Sequence, residues 1–274
     1  WDDSKYRIES AGGAPISIGQ GGSGVAYLRI EGLQVYLSAV TGHGNSGILH
    51  WQTTTANHRI SHNIVKGVTN NTYTYTGIYN YDVPAGSEAR IWNNIVYGFA
   101  GTDGSGIWSI DADSTAYVYN NTIYNCYAGC KANNGISIAK NNISMCDVVN
   151  SSFSDFTGTF DSASTNNYSS DTTAPDNGGA NPSHENKSLT DVDFVSTTGG
   201  SENLHLQSTS DAINVGADLS TDSDLDFTED IDGGTRSGNW DIGADEYGAG
   251  SAAALYRSVG TTATALENGT GNAL

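Results

Sequence analysis

The chain has little of what builds helices or charged interfaces. Its 274 residues include one methionine, five lysines, four prolines and three cysteines, and only 15% are charged. Few stretches have the Ala/Leu/Glu/Lys make-up of a helix, so a helical fold is excluded. No run of about 18 apolar residues occurs, so no segment reads as a membrane-spanning helix. Lys and Arg number 11 against 30 Asp and Glu, a net charge of −19. Phosphate binding needs clustered cations, so nucleic acid is excluded as a partner. The same charge argues against unaided binding of acidic polysaccharides, although bound cations would reverse that locally. The chain opens at Trp1 without a methionine or a basic leader, and so reads as a mature or trimmed piece. Seven Asn-x-Ser/Thr sequons, the first at Asn70, are what a chain this rich in Asn, Ser and Thr holds by chance.

What is present points to strands. Apolar residues make up 37%, with Val, Ile, Thr and Tyr dominating the apolar runs, and 34 glycines supply tight backbone positions. The length suits one large all-β domain or two small ones. Within it the chain repeats itself. Taking Ile91 as an anchor, the matching residues are Ile8, Ile30, Ile60, Val118, Ile138 and Ala163, at unequal steps of 20 to 31 residues. Three residues after the later anchors stand Asn63, Asn94, Asn121, Asn141 and Asn166. Two further on come Val65, Val96, Ile123, Ile143 and Tyr168. A second register, in step with the first, aligns Gly47, Gly77, Gly106 and Gly129.

Unequal steps fit a coil whose strands are constant and whose loops vary. The shortest step has room for about three short strands and tight turns. Such a unit cannot bury its apolar face alone, and stacking buries a continuous core. The aligned Ile and Val columns are the expected core. The asparagine column belongs at a turn, where Asn tolerates left-handed backbone and its amide can bond the next coil. The sequence therefore predicts an all-β, right-handed parallel β-helix of about seven coils. An antiparallel sandwich is the competing arrangement, and the agreement of two registers speaks against it. Residues 1–170 are expected to form the coils, 171–248 a loop and C-terminal cap, and 249–274 a linker with the start of a further β segment.

Residues 191–248 carry Phe194, "LHL" at 204–206, "SDAINVG" at 210–216, "DIDGGTR" at 230–236 and "DIGADEYG" at 241–248. With these motifs the segment resembles the C-terminal end of secreted or cell-surface bacterial proteins with parallel β-helix repeats. The "NNIVYG" and "NNTIYN" coils are similar to the same group, so about residues 6–248 are covered. The resemblance implies the fold and an exported setting. Function stays open, since such helices serve as lyases, hydrolases, adhesins and surface modules.

The candidate chemistry is sparse. "TGHGNSG" at 41–47 resembles the Gly-His-Gly of polygalacturonase-type hydrolases, but no Asp pair precedes His43 in the repeat, and a turn histidine is the better assignment. Lyases of this fold use a Lys or Arg base with calcium held by carboxylates. Here the coils offer Arg59, Lys66, Arg90 and Lys131, with Arg7, Arg29, Arg59 and Arg90 recurring beside their anchors as an outward face. Asp103, Asp111 and Asp113 could supply a carboxylate pair for glycoside hydrolysis. The acidic run at 218–232 offers Asp222, Asp224, Asp226, Asp230 and Asp232 as oxygen ligands for calcium. Beyond calcium, no cofactor is implied. Arg236, Asp241 and Glu246 read as a structural ion pair of the cap.

Aromatics are the more distinctive feature. Leu49, Tyr79 and Trp108 align, as do Trp51, Tyr81 and Ile110, at the parity opposite to Ile48, Ile78 and Ile107. If those isoleucines face inward, Trp51, Tyr79, Tyr81 and Trp108 form an outward stripe, and Trp92 with Tyr119 a second. Such stripes stack on sugar rings or pack on a partner. Cys126 and Cys146 fall one coil apart, which permits a disulfide and leaves Cys130 over; buried free thiols fit as well. A non-catalytic extracellular module (stalk, adhesin or assembly subunit) is the expected function, with a carbohydrate-binding or polysaccharide-degrading helix as the alternative. Self-association is expected through the end coils or the 255–274 tail.

Overall fold

The computed structural model describes residues 1–250 apart from 3–4, 6, 20–25, 41, 43, 52–53, 69–72, 82, 111–113 and 177–183, together with the backbone of 267–268 and 272–273. Among the described residues the chain winds as a parallel β-helix of three sheets. The first stacks Ile8–Ala11, Gln34–Ala39, Ile64–Lys66, Ile95–Tyr97, Thr122–Tyr124, Ile143–Met145 and Tyr168–Ser169. The second stacks Ile16–Ile18, Asn45–Trp51, Tyr75–Tyr81, Ser105–Ser109, Ala128–Ala132 and Ser154–Gly158. The third stacks Tyr27–Glu31, Asn57–Ser61, Glu88–Trp92, Thr115–Tyr119 and Ile136–Lys140. The chain visits the sheets in that order on every turn and completes about five turns rather than seven. One coil of the excess in the expected count has a simple source. Ile8 pairs with Val35 in the first sheet, whereas Ile30 pairs with Ile60 in the third, so two of the matched anchors belong to different sheets.

The core is a set of columns. Ile30, Ile60, Ile91 and Val118 descend the third sheet, and Val35, Val65, Val96 and Ile123 the first. Ile16, Ile48, Ile78, Ile107, Cys130 and Phe156 descend the second. The aligned glycines stand where these columns come closest. A Cβ at Gly77 would lie 2.3 Å from Val96 and 2.5 Å from the Gly106 carbonyl oxygen, so any larger residue would collide with the opposite wall.

In the later coils the register departs from the sequence alignment by one residue. Val118 pairs with Ala139, not Ile138, and Ile123 pairs with Ser144, not Ile143. A one-residue slip exchanges the two faces of a strand. Ala139 is therefore inside, and Ile138 packs outside against the C-terminal segment. The larger residue misled the alignment because it too is buried, on the other face.

The same slip separates two roles of asparagine. The corner between the third and first sheets carries two residues per turn. The first is left-handed at His62, Asn93, Asn120, Asn141 and Asn166, with φ of 56°, 50°, 48°, 54° and 54°. Asn is among the few residues that adopt this backbone at low cost. The second residue turns inward and forms a ladder of Asn63, Asn94, Asn121, Asn142 and Asn167. Each side-chain amide donates to the next Asn Oδ1, at 3.0, 3.0, 3.0 and 2.9 Å. Asn141 and Asn166, expected in the ladder, instead occupy the left-handed positions. Every ladder amide also donates to a backbone carbonyl, as Asn121 does to Ile91 at 2.9 Å. A buried corner that would leave peptide groups unpaired is thereby satisfied.

The C-terminal segment does not sit on the end of the stack. It lies along the outer faces of the first and third sheets. Val192, Phe194, Leu204, Leu206, Ile231 and Ile242 pack on the first. Leu219, Leu225, Phe227 and Trp240 pack on the third. The outward asparagines of the corner hold it: Asn120 donates to the carbonyls of Asp241 and Gly243, and Asn141 to that of Ala217. Arg236 closes the assembly with a fully buried guanidinium. It meets Glu246 at 3.1 Å, Asn93 Oδ1 at 3.1 Å and the Ala244 carbonyl at 2.8 Å. Asp241 accepts instead from the Asn214 and Tyr247 amides, so the expected structural ion pair is Arg236 with Glu246. The run 255–266 lies outside the described residues; beyond it, Glu267–Asn268 pairs antiparallel with Asn272–Ala273.

Candidate functional site

The outer face of the second sheet brings together four of the expected aromatic residues. Strand pairing places Leu49, Tyr79, Trp108 and Lys131 in one column and Trp51 beside Tyr81 in the next. All four rings are half-buried. Their arrangement decides what they can do. Tyr79 and Trp108 have centroids 4.8 Å apart at an interplanar angle of 19°, a face-to-face stack. Rings lying side by side as a platform would need wider spacing. Lys131 Nζ covers the remaining face of Trp108 at 4.1 Å and pairs with Asp103 at 2.7 Å. Tyr81 leans on Tyr79 at 5.1 Å, and Trp51 meets Tyr81 edge-on at 5.6 Å. Stacking against a sugar uses a free ring face. Here the faces of the central pair are spent on each other and on a cation, which leaves mostly ring edges outward.

Trp92 does not join them. It is 3% exposed, with its ring 6.3 Å from Phe227, because the C-terminal segment covers the third sheet. Parity put Trp92 and Tyr119 outside the coil correctly, but outside the coil is not outside the protein.

The five aspartates of the acidic run do not converge. Asp222 pairs with Lys140 at 2.6 Å and accepts from the Asp224 and Leu225 amides. Asp224 uses its carbonyl to hold Arg90, and Asp226 faces solvent. Asp230 is buried, accepts from the Asp232, Gly234 and Glu246 amides, and is pushed up to about 6 by burial. Asp222 and Asp230 act as turn-forming acceptors, and the five do not form one calcium cage. Asp232 alone joins a potential ligand set, with His205 and Asp245. His43, Asp111 and Asp113 lie outside the described residues.

Cys126, Cys130 and Cys146 are free and buried, and burial pushes the Cys130 and Cys146 thiols well up. They act as small core residues. Near them the core turns polar. Asp155 accepts from Ser144 Oγ, the Cys146 amide and the Ser170 amide and hydroxyl at 2.6 to 2.8 Å. Burial raises it to about 6. It ties the strand Ser154–Gly158 to Cys146 and to Ser170 and Asp171, just beyond the last strand of the first sheet.

A cleft of about 590 Å³ opens on the first sheet, against the 197–202 turn. Tyr36, Lys66, Tyr97 and Tyr124 line it as one outward column. Lys66 Nζ stands 5.3 to 5.7 Å from the rings of Trp1, Tyr36 and Tyr97, and 3.6 Å from Glu202. The sequence carried a signal for this column, since each member follows an inward Val or Ile. The turn that walls it comes from a segment more than 70 residues further along than Tyr124.

The chain matches no protein-family model, no curated protein and no solved structure.

Proposed function

We propose that the chain is a non-catalytic β-helix module of an extracellular or cell-surface protein, serving as a stalk, adhesin or assembly subunit. The observation that carries this is the self-stacked column on the second sheet. Its aromatic faces, its lysine and its carboxylate are engaged with one another, so the outward chemistry of this column is spent on rigidity. Hydrolysis of a glycoside asks for two carboxylates flanking the bond. Among the described residues the column holds one, Asp103, already paired with Lys131. The resemblance of residues 191–248 to secreted bacterial β-helix proteins supports the exported setting. The test has two arms. Incubation with a panel of neutral and acidic polysaccharides is expected to release no oligosaccharide, and release would overturn the reading. Light scattering at rising concentration, with and without calcium, is expected to show growth beyond the monomer for an assembly subunit.

A second reading, carbohydrate binding, is favoured by the cleft on the first sheet rather than by the aromatic stripe. It combines tyrosine walls, a cation and a carboxylate in a concave site. A glycan array with Lys66→Ala and Trp108→Ala separates the two surfaces, because only the first substitution is expected to remove a hit.

A further inference from the structure

We propose that His205, Asp232 and Asp245 form a binding site for a divalent cation of the zinc class. Such an ion would staple the antiparallel pair Phe194–Ser196 and Asn203–Leu206 of the C-terminal segment to its two acidic turns. The three residues come from separate stretches: His205 from the strand Asn203–Leu206, Asp232 from "DIDGG", and Asp245 from "GADEY". One ligand atom from each lies within 4.8 Å of the others. His205 Nε2 is 3.0 Å from Asp232 Oδ2. Zinc–ligand bonds of about 2.0–2.2 Å put tetrahedral ligand atoms about 3.4 Å apart, so the widest pair would close by up to about 1.4 Å, shared between two side chains.

Three features go beyond a chance meeting of charges. The other ring nitrogen, Nδ1, stands 2.5 Å from Asn203 Oδ1. An Nδ1–H donated there leaves Nε2 as the unprotonated nitrogen, buried without a hydrogen-bond partner and 3.0 Å from Asp232 Oδ2, and a partner on the other ring nitrogen is the outer-shell arrangement that orients metal-bound histidines. Asp245 is buried, and its Oδ2 is fixed by the Leu206 amide at 2.8 Å. The Asp232 amide is bonded to Asp230 Oδ1 at 3.0 Å, which sets the turn that presents its side chain. Imidazole with two carboxylates selects zinc-like ions over calcium, which prefers six or more oxygens. The partial exposure of His205 and Asp232 provides an entry path, and a solvent molecule would complete the coordination.

The competing arrangement is a protonated His205 bridging the two carboxylates with no metal. Metal-stripped protein is titrated with zinc chloride by calorimetry and with cobalt(II) by absorption. One equivalent is expected to bind, with the visible bands of a four-coordinate cobalt ion and a rise in Tm. Asp232→Asn and His205→Ala are expected to abolish uptake, Asn203→Ala to weaken it about tenfold, and Asp222→Asn to leave it unchanged. Asp232 is at the surface, so its variant should fold even if that of His205 does not. Uptake below a tenth of an equivalent would overturn the proposal. So would uptake that survives Asp232→Asn, or an imidazole that stays protonated on both nitrogens at pH 7 with zinc present.

Discussion

Two outward columns of the β-helix are built alike and end differently. On the second sheet Tyr79 and Trp108 are followed by Lys131, which sits over Trp108 and pairs with Asp103. On the third sheet Trp92 and Tyr119 are followed by Lys140, which sits 5.0 Å from Tyr119 and pairs with Asp222. Each is an aromatic pair closed by a lysine and an aspartate. Asp103 comes from the coil itself and is half exposed, whereas Asp222 belongs to the C-terminal segment and is 10% exposed. One column is therefore surface and the other core. An outward aromatic stripe is a docking face, and here the chain has used one of its own to seat residues 217–240.

The largest effect on this contrast should come from Arg236→Met. It leaves the Glu246 carboxylate and Asn93 Oδ1 without their buried donor and loosens the segment over the third sheet. Removing one partner of such a pair costs about 3–5 kcal/mol. Urea unfolding is expected to show that loss, with tryptophan emission shifted to the red as Trp92 and Trp240 meet water. Parallel truncations follow. Trp92→Ala should cost about 3–5 kcal/mol as a core truncation. Trp108→Ala should cost about 1–2 kcal/mol, the worth of one ring stack and one cation contact. Equal costs would mean that the second column is covered as well.

Acid should act from behind the open column. His50, on the inner side of the second sheet, bonds Asn80 at 2.6 Å, and burial, aided by His58, lowers it to about 3. Its unfolded value is about 6.5. The folded state therefore binds fewer protons between those values. Stability is full above about pH 6.5 and falls as the pH drops towards 3, by about 1.4 kcal/mol per unit for one proton. His50→Gln is expected to remove about one proton from the slope of stability against pH in that window. The smallest contrast is between the two aspartates. Asp222→Asn should cost about 1.5–3 kcal/mol, as a charged hydrogen bond under cover. Asp103→Asn should cost less than about 1 kcal/mol, as an exposed pair.

The coil and its parity were legible in the sequence because stacking forces equivalent residues into columns. Ile60, Ile91 and Val118 could be aligned by eye and do lie in register. Where core side chains shrink to Ala139 and Ser144, the apolar signal moves to Ile138 and Ile143 on the outer face, and the alignment slips with it. The doubled asparagine was visible, but its division between corner and ladder was not. The pattern "NN" does not say which amide turns in, and only the left-handed φ of the first residue decides it.

By itself, then, the sequence determined a parallel coil with apolar columns, asparagine corners and outward aromatics, since these depend on a repeat that each coil imposes on the next. Tertiary structure alone decided which aromatics stay at the surface, which lysine meets which aspartate, and that His205, Asp232 and Asp245 share one point. Those contacts join the coils to a non-repeating segment many residues away. No periodicity encodes a contact made only once.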